Sequence, residues 1–241
     1  SIIEQYGEDS DQARVEVYGE FPRQGDMQFI GRGDVDDALL REDAYDYGSP
    51  LLMGVDPARF GNDKAVIAFR QGKDARSIPM QEYQKCSVVE LAEYCARAIE
   101  KYSPDAVFIE GDGVGGGVAD VLKHTGHQVI EVKVGGGAQD KDMYNNHRTE
   151  LWGRMRDWIS NGMLPNKKEL ADDLCGPMYD FSLKGQLKLE PKDKMKKRGY
   201  ASPDFADALA TTFSRTIGRK DTKTSKSRKR VVKDLDYDMF G

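Results

Sequence analysis

The 241-residue sequence is poor in the residues that build thiol and imidazole sites, with only 3 cysteines, 3 histidines and 2 tryptophans. Cys86, Cys95 and Cys175 stand at no metal-ligand spacing, and any disulfide scheme leaves one of them over. A disulfide scaffold and a thiolate metal site are therefore excluded, and buried thiols in a reducing cytosol are expected. No run approaches the roughly 18 apolar residues of a membrane helix. The opening stretch SIIEQYGEDSDQ is acidic, without the basic-then-apolar pattern of a secretory leader. No G-x-x-x-x-G-K-[ST] occurs, which excludes ATP hydrolysis by a P-loop. An excess of positive charge is also missing. The formal net charge is −5, so the chain does not bind nucleic acid through bulk charge.

What is present is a clear order of elements after a weakly patterned start. Residues 1–48 hold one short strand candidate, RVEVYGEFP (Arg14 to Pro22), and one short helix candidate, VDDALLREDAYDY. They read as a linker or extension. From residue 49 the pattern sharpens. LLMGVD, KAVIAFR and RSIPMQEYQ, joined by the turns PARFGND and QGKDA, predict three antiparallel strands. VVELAEYCARAIEKY predicts a helix burying Val89, Leu91, Ala92, Cys95, Ala96 and Ile99. DAVFIE is a buried strand, GGGVADVLKHTG a helix and QVIEVKV a fifth strand. YNNHRTELWGRMRDWISNG is an amphipathic helix with Leu151, Trp152, Met155, Trp158 and Ile159 inward. MYDFSLKGQLKLEP alternates as a β-hairpin turning at Lys184-Gly185. SPDFADALATTFSRTI is a helix that Ser202 caps and Pro203 begins. Residues 219–241 form a basic tail, expected to be solvated and disordered.

This is the order of an α/β protein with the RNase H-like fold, a mixed five-stranded sheet with helices on both faces, here with a hairpin insertion. The domain is expected to span residues 49–218. In that fold the first and fourth strands are neighbours. Asp56 ends the first strand after five apolar or glycine residues, and Glu110 ends the fourth after Ala106-Val107-Phe108-Ile109. Both acids should then emerge at the same end of the sheet. Asp204 and Asp207 are three apart and share a helix face. If that helix lies beside the first strand, the acids converge. Converging carboxylates repel unless a cation neutralises them, and hard oxygen ligands suit Mg²⁺ or Mn²⁺. Two such ions support in-line phosphodiester hydrolysis. Asp112 and Asp63 are nearby polar candidates, Asp112 as a further metal ligand.

One motif competes with this reading. Gly111-Asp112-Gly113-Val114-Gly115-Gly116 fits G-x-G-x-x-G, and Glu131 stands where a dinucleotide-binding fold carries its ribose acid. Glu110 would put negative charge against the pyrophosphate, however, and the preceding strands form a meander and not a βαβ unit. No nucleotide cofactor is expected.

With these residues in view the chain resembles the nuclease domain of tailed-phage terminase large subunits, the proteins of the DNA-packaging motor. The likeness is carried by GVDPARFGNDKAVIAF, IEGDGVGGGVADVL, HRTELWGRMRDWISNG and KKRGYASPDFADALATTFS. YGEDSDQARVEVYGEFP resembles the stretch that joins the motor's ATPase domain to its nuclease. The resemblance implies a metal-dependent endonuclease that cuts concatemeric viral genomes, acting on double-stranded DNA in the host cell cytoplasm. It implies an ATPase domain upstream, and a capsid portal and a small terminase subunit as partners. Asp56 matches the first metal-binding acid, Glu110 the second (commonly Asp in the family) and Asp207 or Asp204 the third. Lys184, Lys188, Lys192, Lys194, Lys196, Lys197 and Arg198 are candidates for a phosphate-tracking rim. A structure-selective resolvase on the same fold and a non-catalytic DNA- or portal-docking module are the rival readings. A sugar-kinase-like ATPase would need a second lobe that this length hardly supplies.

Overall fold

A computed structural model describes residues 27–58 and 63–218. The expected strand at Arg14 to Pro22 and the basic tail lie outside these residues. Among the described residues no helix is long and apolar enough to cross a membrane.

The sheet forms from the predicted segments. Strands β1 (Leu51–Asp56), β2 (Ala65–Gln71) and β3 (Gln81–Tyr83) pair antiparallel. After helix α2 (Val88–Tyr102), β4 (Ala106–Glu110) pairs parallel to β1. After α3 (Val114–His124), β5 (Ile130–Val132) pairs parallel to β4. The order β3-β2-β1-β4-β5 is the expected RNase H-like sheet, with β1 in its centre. A separate hairpin follows later, β6 (Tyr179–Phe181) with β7 (Leu187–Leu189). The third strand is shorter than the sequence suggests, because β3 is an edge with only β2 to pair with.

Side chains alternate across the pleat and divide the core in two. Met53, Val55, Ile67, Val107 and Ile109 face α2 and α3. Leu52, Val66, Ala106 and Phe108 face the other layer. That layer contains α1 (Arg32–Leu40), α4 (His147–Ile159), α5 (Lys168–Cys175) and α7 (Asp204–Thr211), with the short α6 (Lys192–Lys197) at its rim. The α2 helix begins with a capping box between Ser87 and Glu90. Its buried side is Leu91, Ala92, Cys95 and Ala98; Val89, expected inside, is exposed.

Two sequence expectations need correction here. Residues 27–48 are no mere linker, since Phe29, Ile30, Val35 and Ala38 are buried in the core beside α4 and α5. The packed body therefore starts at least as early as Met27, ahead of the expected boundary at residue 49. The Phe29 ring meets Trp152 edge-on, at 6.2 Å between centroids. Secondly, Ser202 makes no cap and Pro203 takes the N-cap position of α7. The cap comes from another helix, as Asp173 Oδ2 accepts the Phe205 N–H at 2.9 Å. The helices α5 and α6 carry no counterpart in the sequence reading.

Candidate active site

The alternation that builds the core also aims the acids. Asp56 is in step with Leu52 and Gly54, and Glu110 with Ala106 and Phe108, so both point toward the α7 layer. Val55 pairs with Ile109 in the parallel register, which leaves Asp56 and Glu110 as the next residues out, side by side. The third acid arrives because α7 lies directly on β1. A Cβ at Gly54 would stand 2.2 Å from the Ala208 carbonyl oxygen and 2.4 Å from Thr211 Oγ1. Only glycine allows the helix so close, and Asp207 is thereby brought over the end of β1.

Asp56, Asp207 and the partly buried Lys192 form a tight group. Lys192 Nζ lies 2.9 Å from Asp207 Oδ2 and 3.6 Å from Asp56 Oδ2. Asp207 also receives Arg148 Nε at 3.1 Å, Arg148 Nη2 at 3.2 Å and the Trp152 indole N–H at 2.7 Å. Burial pushes Asp56 well above the usual carboxylate range, Lys192 opposes this, and Glu110 and Asp207 add to it. Glu110 is raised chiefly by burial as well, against Lys192. Burial acts on Asp207 in the same sense, but Arg148, then Lys192 and Trp152, outweigh it and hold this carboxyl below the usual range. The same three acids outweigh the burial of Lys192 and keep its ammonium charged.

The remaining candidates separate around this group. Asp204 accepts the Lys64 backbone N–H at 2.6 Å and lines a neighbouring cavity of about 710 Å³ with Asp63, Asp173, Lys196 and Tyr200. Asp63 pairs with Lys196 at 3.0 Å. Asp112 is directed elsewhere: its Oδ2 accepts the Gly135 N–H at 2.7 Å, on an exposed turn. The glycine-rich stretch packs against the backbone that carries Glu110. A Cβ at Gly115 would overlap the Glu110 carbonyl oxygen, at 1.6 Å, so α3 starts directly against the backbone that carries the acid. Glu131, the would-be ribose acid, is paired with Lys123.

Of the expected phosphate rim, Lys184, Lys194 and Lys197 are exposed and Lys188 half-buried. Arg198 is committed to Glu190, with Nε and Nη2 donating at 2.8 and 2.6 Å, and to the Gly176 carbonyl. Lys192 faces the acids and is no rim residue. Three contributors escaped the sequence reading: Arg148, Trp152 and Asp173. A signal existed for the first two. They are four apart on one helix, and a buried indole N–H requires an acceptor.

Hard carboxylate oxygens from β1, β4 and α7 suit a divalent cation such as Mg²⁺ or Mn²⁺. Among the described residues no three His, Cys, Asp or Glu side chains are arranged so that they could hold a metal ion as they stand. The acids converge instead on the Lys192 ammonium, a cation held where their charges meet. In chemistry the donors suit a hard cation, while in this arrangement the Lys192 ammonium stands between Asp56 and Asp207.

No family model matches the chain. In sequence it is similar to a probable terminase large subunit of Enterobacteria phage P7, 26% identical over 222 residues. The match covers 86% of this chain and 45% of that protein, so the chain spans about half the length of its relative. In structure it is similar to the nuclease domain of the large terminase subunit gp2 of bacterial virus Sf6, with a TM-score of 0.68 and 20% identity. That match covers 80% of this chain and all of that one. A mutant of the same domain, solved with manganese and beta-thujaplicinol, gives a TM-score of 0.69 at 19% identity, again covering 80% of this chain and all of that one. The large terminase nuclease of thermophilic phage G20c, with bound magnesium, gives 0.55 at 16% identity over 80% of this chain and 99% of that one. The resemblance drawn from the sequence motifs is borne out in both sequence and fold.

Proposed function

We propose that this chain is the nuclease domain of a phage terminase large subunit, a metal-dependent endonuclease that hydrolyses double-stranded DNA. The observation that carries this reading is the convergence of Asp56, Glu110 and Asp207 from three separate elements, with Lys192 between two of them. Like charges are not buried together without a reason, and a structural role would be served better by apolar residues. The neighbours solved with manganese and magnesium support a divalent cation at these acids.

Asp56, Glu110 and Asp207 would hold Mg²⁺ or Mn²⁺, with two ions the expected number and Asp204 at the margin. Bound there, the ions would lower the pKa of water and neutralise charge on the phosphate and the leaving oxygen. The chain's own residues do the rest. Arg148 and Trp152 keep Asp207 ionised and aimed, and Lys192 balances the acids before substrate arrives. Lys184 and Lys188 of the hairpin and Lys194 and Lys197, exposed on the helix that Lys192 begins, would offer charge to the phosphates on either side of the cut. Water is the nucleophile, and the products are a 3′-hydroxyl and a 5′-phosphate. In the whole protein this activity would cut concatemeric genomes in the host cytoplasm. An ATPase domain upstream, a portal and a small terminase subunit would be its partners.

The test is plasmid nicking with Mn²⁺ or Mg²⁺, comparing wild type with Asp56→Ala, Glu110→Ala and Asp207→Ala. Full activity retained in Asp56→Ala would sink the mechanism. Binding of DNA with no cleavage under any metal would favour the docking module.

A further inference from the structure

The Asp207 carboxylate is divided between two surroundings. Its Oδ1 receives Arg148 Nε at 3.1 Å and Trp152 Nε1 at 2.7 Å, both from α4. Its Oδ2 receives Arg148 Nη2 at 3.2 Å and Lys192 Nζ at 2.9 Å, and so faces the group that contains Asp56. Arg148 does more than meet the acid. Its Nη1 donates to the Glu190 carbonyl at 3.2 Å, two residues before Lys192. Its guanidinium also lies over the Trp152 ring, at 5.6 Å from the centroid. Trp152 is fully buried, so its N–H points where the core dictates.

We propose that Arg148 and Trp152 are positioning residues that hold the Asp207 carboxylate in one orientation toward Asp56, the one in which it would meet a divalent cation. Arg148 grips both oxygens and Trp152 fixes Oδ1, so from the rigid face of α4 they set the direction in which the carboxylate meets Lys192 and Asp56. Arg148 also joins this acid to the strand end that delivers Lys192, so that the ligand and its resident counter-charge are set by one side chain. The inference rests on the nuclease reading above and adds the residues that orient its third acid.

Charge and positioning make opposite predictions. If Arg148 served only as a positive charge beside the site, its loss would strengthen the binding of a cation. If it positions Asp207, even a change that keeps the charge must weaken binding. Arg148→Lys is such a change, because an ammonium cannot reproduce the two-point guanidinium grip. Trp152→Phe removes a neutral donor and keeps an aromatic ring in the core.

The experiment is a Mn²⁺ titration of the full 241-residue chain by calorimetry, with unfolding midpoints and plasmid nicking measured alongside. A Trp158→Phe background leaves Trp152 as the remaining indole, whose emission reports on its bond to Asp207. Arg148→Lys and Trp152→Phe are each expected to weaken Mn²⁺ binding by about 10–100-fold, the usual effect of removing an outer-shell partner. Arg148→Lys is expected to keep its unfolding midpoint. In the Trp158→Phe background, Mn²⁺ is expected to change Trp152 emission, and Asp207→Asn to abolish the change. Unaltered Mn²⁺ affinity in both variants, with wild type binding and nicking, would overturn the positioning role and leave the nuclease reading intact. Tighter binding in Arg148→Gln would overturn it in favour of a simple counter-charge. Calorimetric binding with no change in Trp152 emission would overturn the part assigned to Trp152. Failure of the wild type to bind Mn²⁺ and to nick would overturn both readings together.

Discussion

Gly54 in β1 and Ala208 in α7 meet backbone to backbone, so close that a Cβ on the glycine would stand 2.2 Å from the Ala208 carbonyl oxygen. This approach sets the height of α7 above the sheet, and hence the distance from Asp207 to Asp56. Gly54→Ala is expected to force the helix outward and destabilise the domain by roughly 1–3 kcal/mol, the cost of overpacking. For a domain of this size the loss of Tm is roughly 2–12 °C. Scanning calorimetry measures it, and nicking activity should fall further than stability alone explains.

The buried acids oppose one another before any cation arrives. Asp56→Asn is therefore expected to raise Tm in EDTA by a few degrees, while removing activity. Wild type should gain Tm on adding Mn²⁺, by the equivalent of about 2.7 kcal/mol at a hundred times Kd. Asp56→Asn should gain almost nothing. Thermal melts with and without Mn²⁺ decide this, and a wild-type Tm indifferent to Mn²⁺ would count against the centre.

Asp204 and Asp207 share a helix but not a setting. Asp204 is held by the Lys64 amide and faces the side cavity, whereas Asp207 joins Asp56 through Lys192. Asp207→Ala is expected to lower nicking at least about a hundredfold, more than the loss of an outer partner typically costs. Asp204→Ala should cost about tenfold or less. Equal losses in initial-rate measurements would return Asp204 to the centre.

Asp173 is the cross-helix cap of α7, and its carboxyl is pushed up to about 8, by burial first and by Asp204 and Asp207 after that. In the unfolded chain it titrates near 3.9, as aspartate usually does. Between these two values the folded state holds a proton that the unfolded state lacks. Its contribution to stability is complete below about pH 4 and declines as pH rises toward 8. Asp173→Asn keeps an acceptor for the Phe205 amide without the charge. Its Tm should match wild type near pH 4 and exceed it by several degrees at pH 8. A pH series of melts with the same slope for both proteins would contradict this.

Lys194 and Lys197 are exposed on α6, the helix that Lys192 begins, whereas Arg198 is engaged by Glu190. A Lys194→Ala/Lys197→Ala variant is expected to weaken DNA binding equally across sequences. It should also reduce the slope of log K against log[salt] by about 2, one for each lysine–phosphate pair removed. Filter binding over a salt series measures it. Arg198→Ala should leave that slope unchanged and lower Tm instead.

The sheet was legible in the sequence because period-two alternation and short polar turns have few other solutions. Asp56 and Glu110 could be placed by the same means. Each is a charged residue directly after a buried strand, where the fold's strand order makes neighbours of them. The choice between Asp207 and Asp204 was not legible, since residues three apart on a helix share a face. The packing of α7 on Gly54 and the donors from α4 separate them. Lys192 was legible as a basic residue but not as one that turns inward, because its direction depends on the turn at Pro191 after β7. Residues 27–48 were misread for a related reason. Phe29, Ile30, Val35 and Ala38 join a core beside α4 and α5, more than a hundred residues further along the chain, and so no local periodicity marks them.

Phe29 lies against Trp152, and Trp152 holds Asp207. A fragment cut at the start of β1 would therefore keep every acid of the centre and lose the wall behind one of them. As a unit that recombination or a protein engineer could move, the packed body takes in Met27 to Ala38 and does not begin at the first strand. Grafts joined at Ser49 would carry the acids without the ring that backs the Trp152 donor to Asp207.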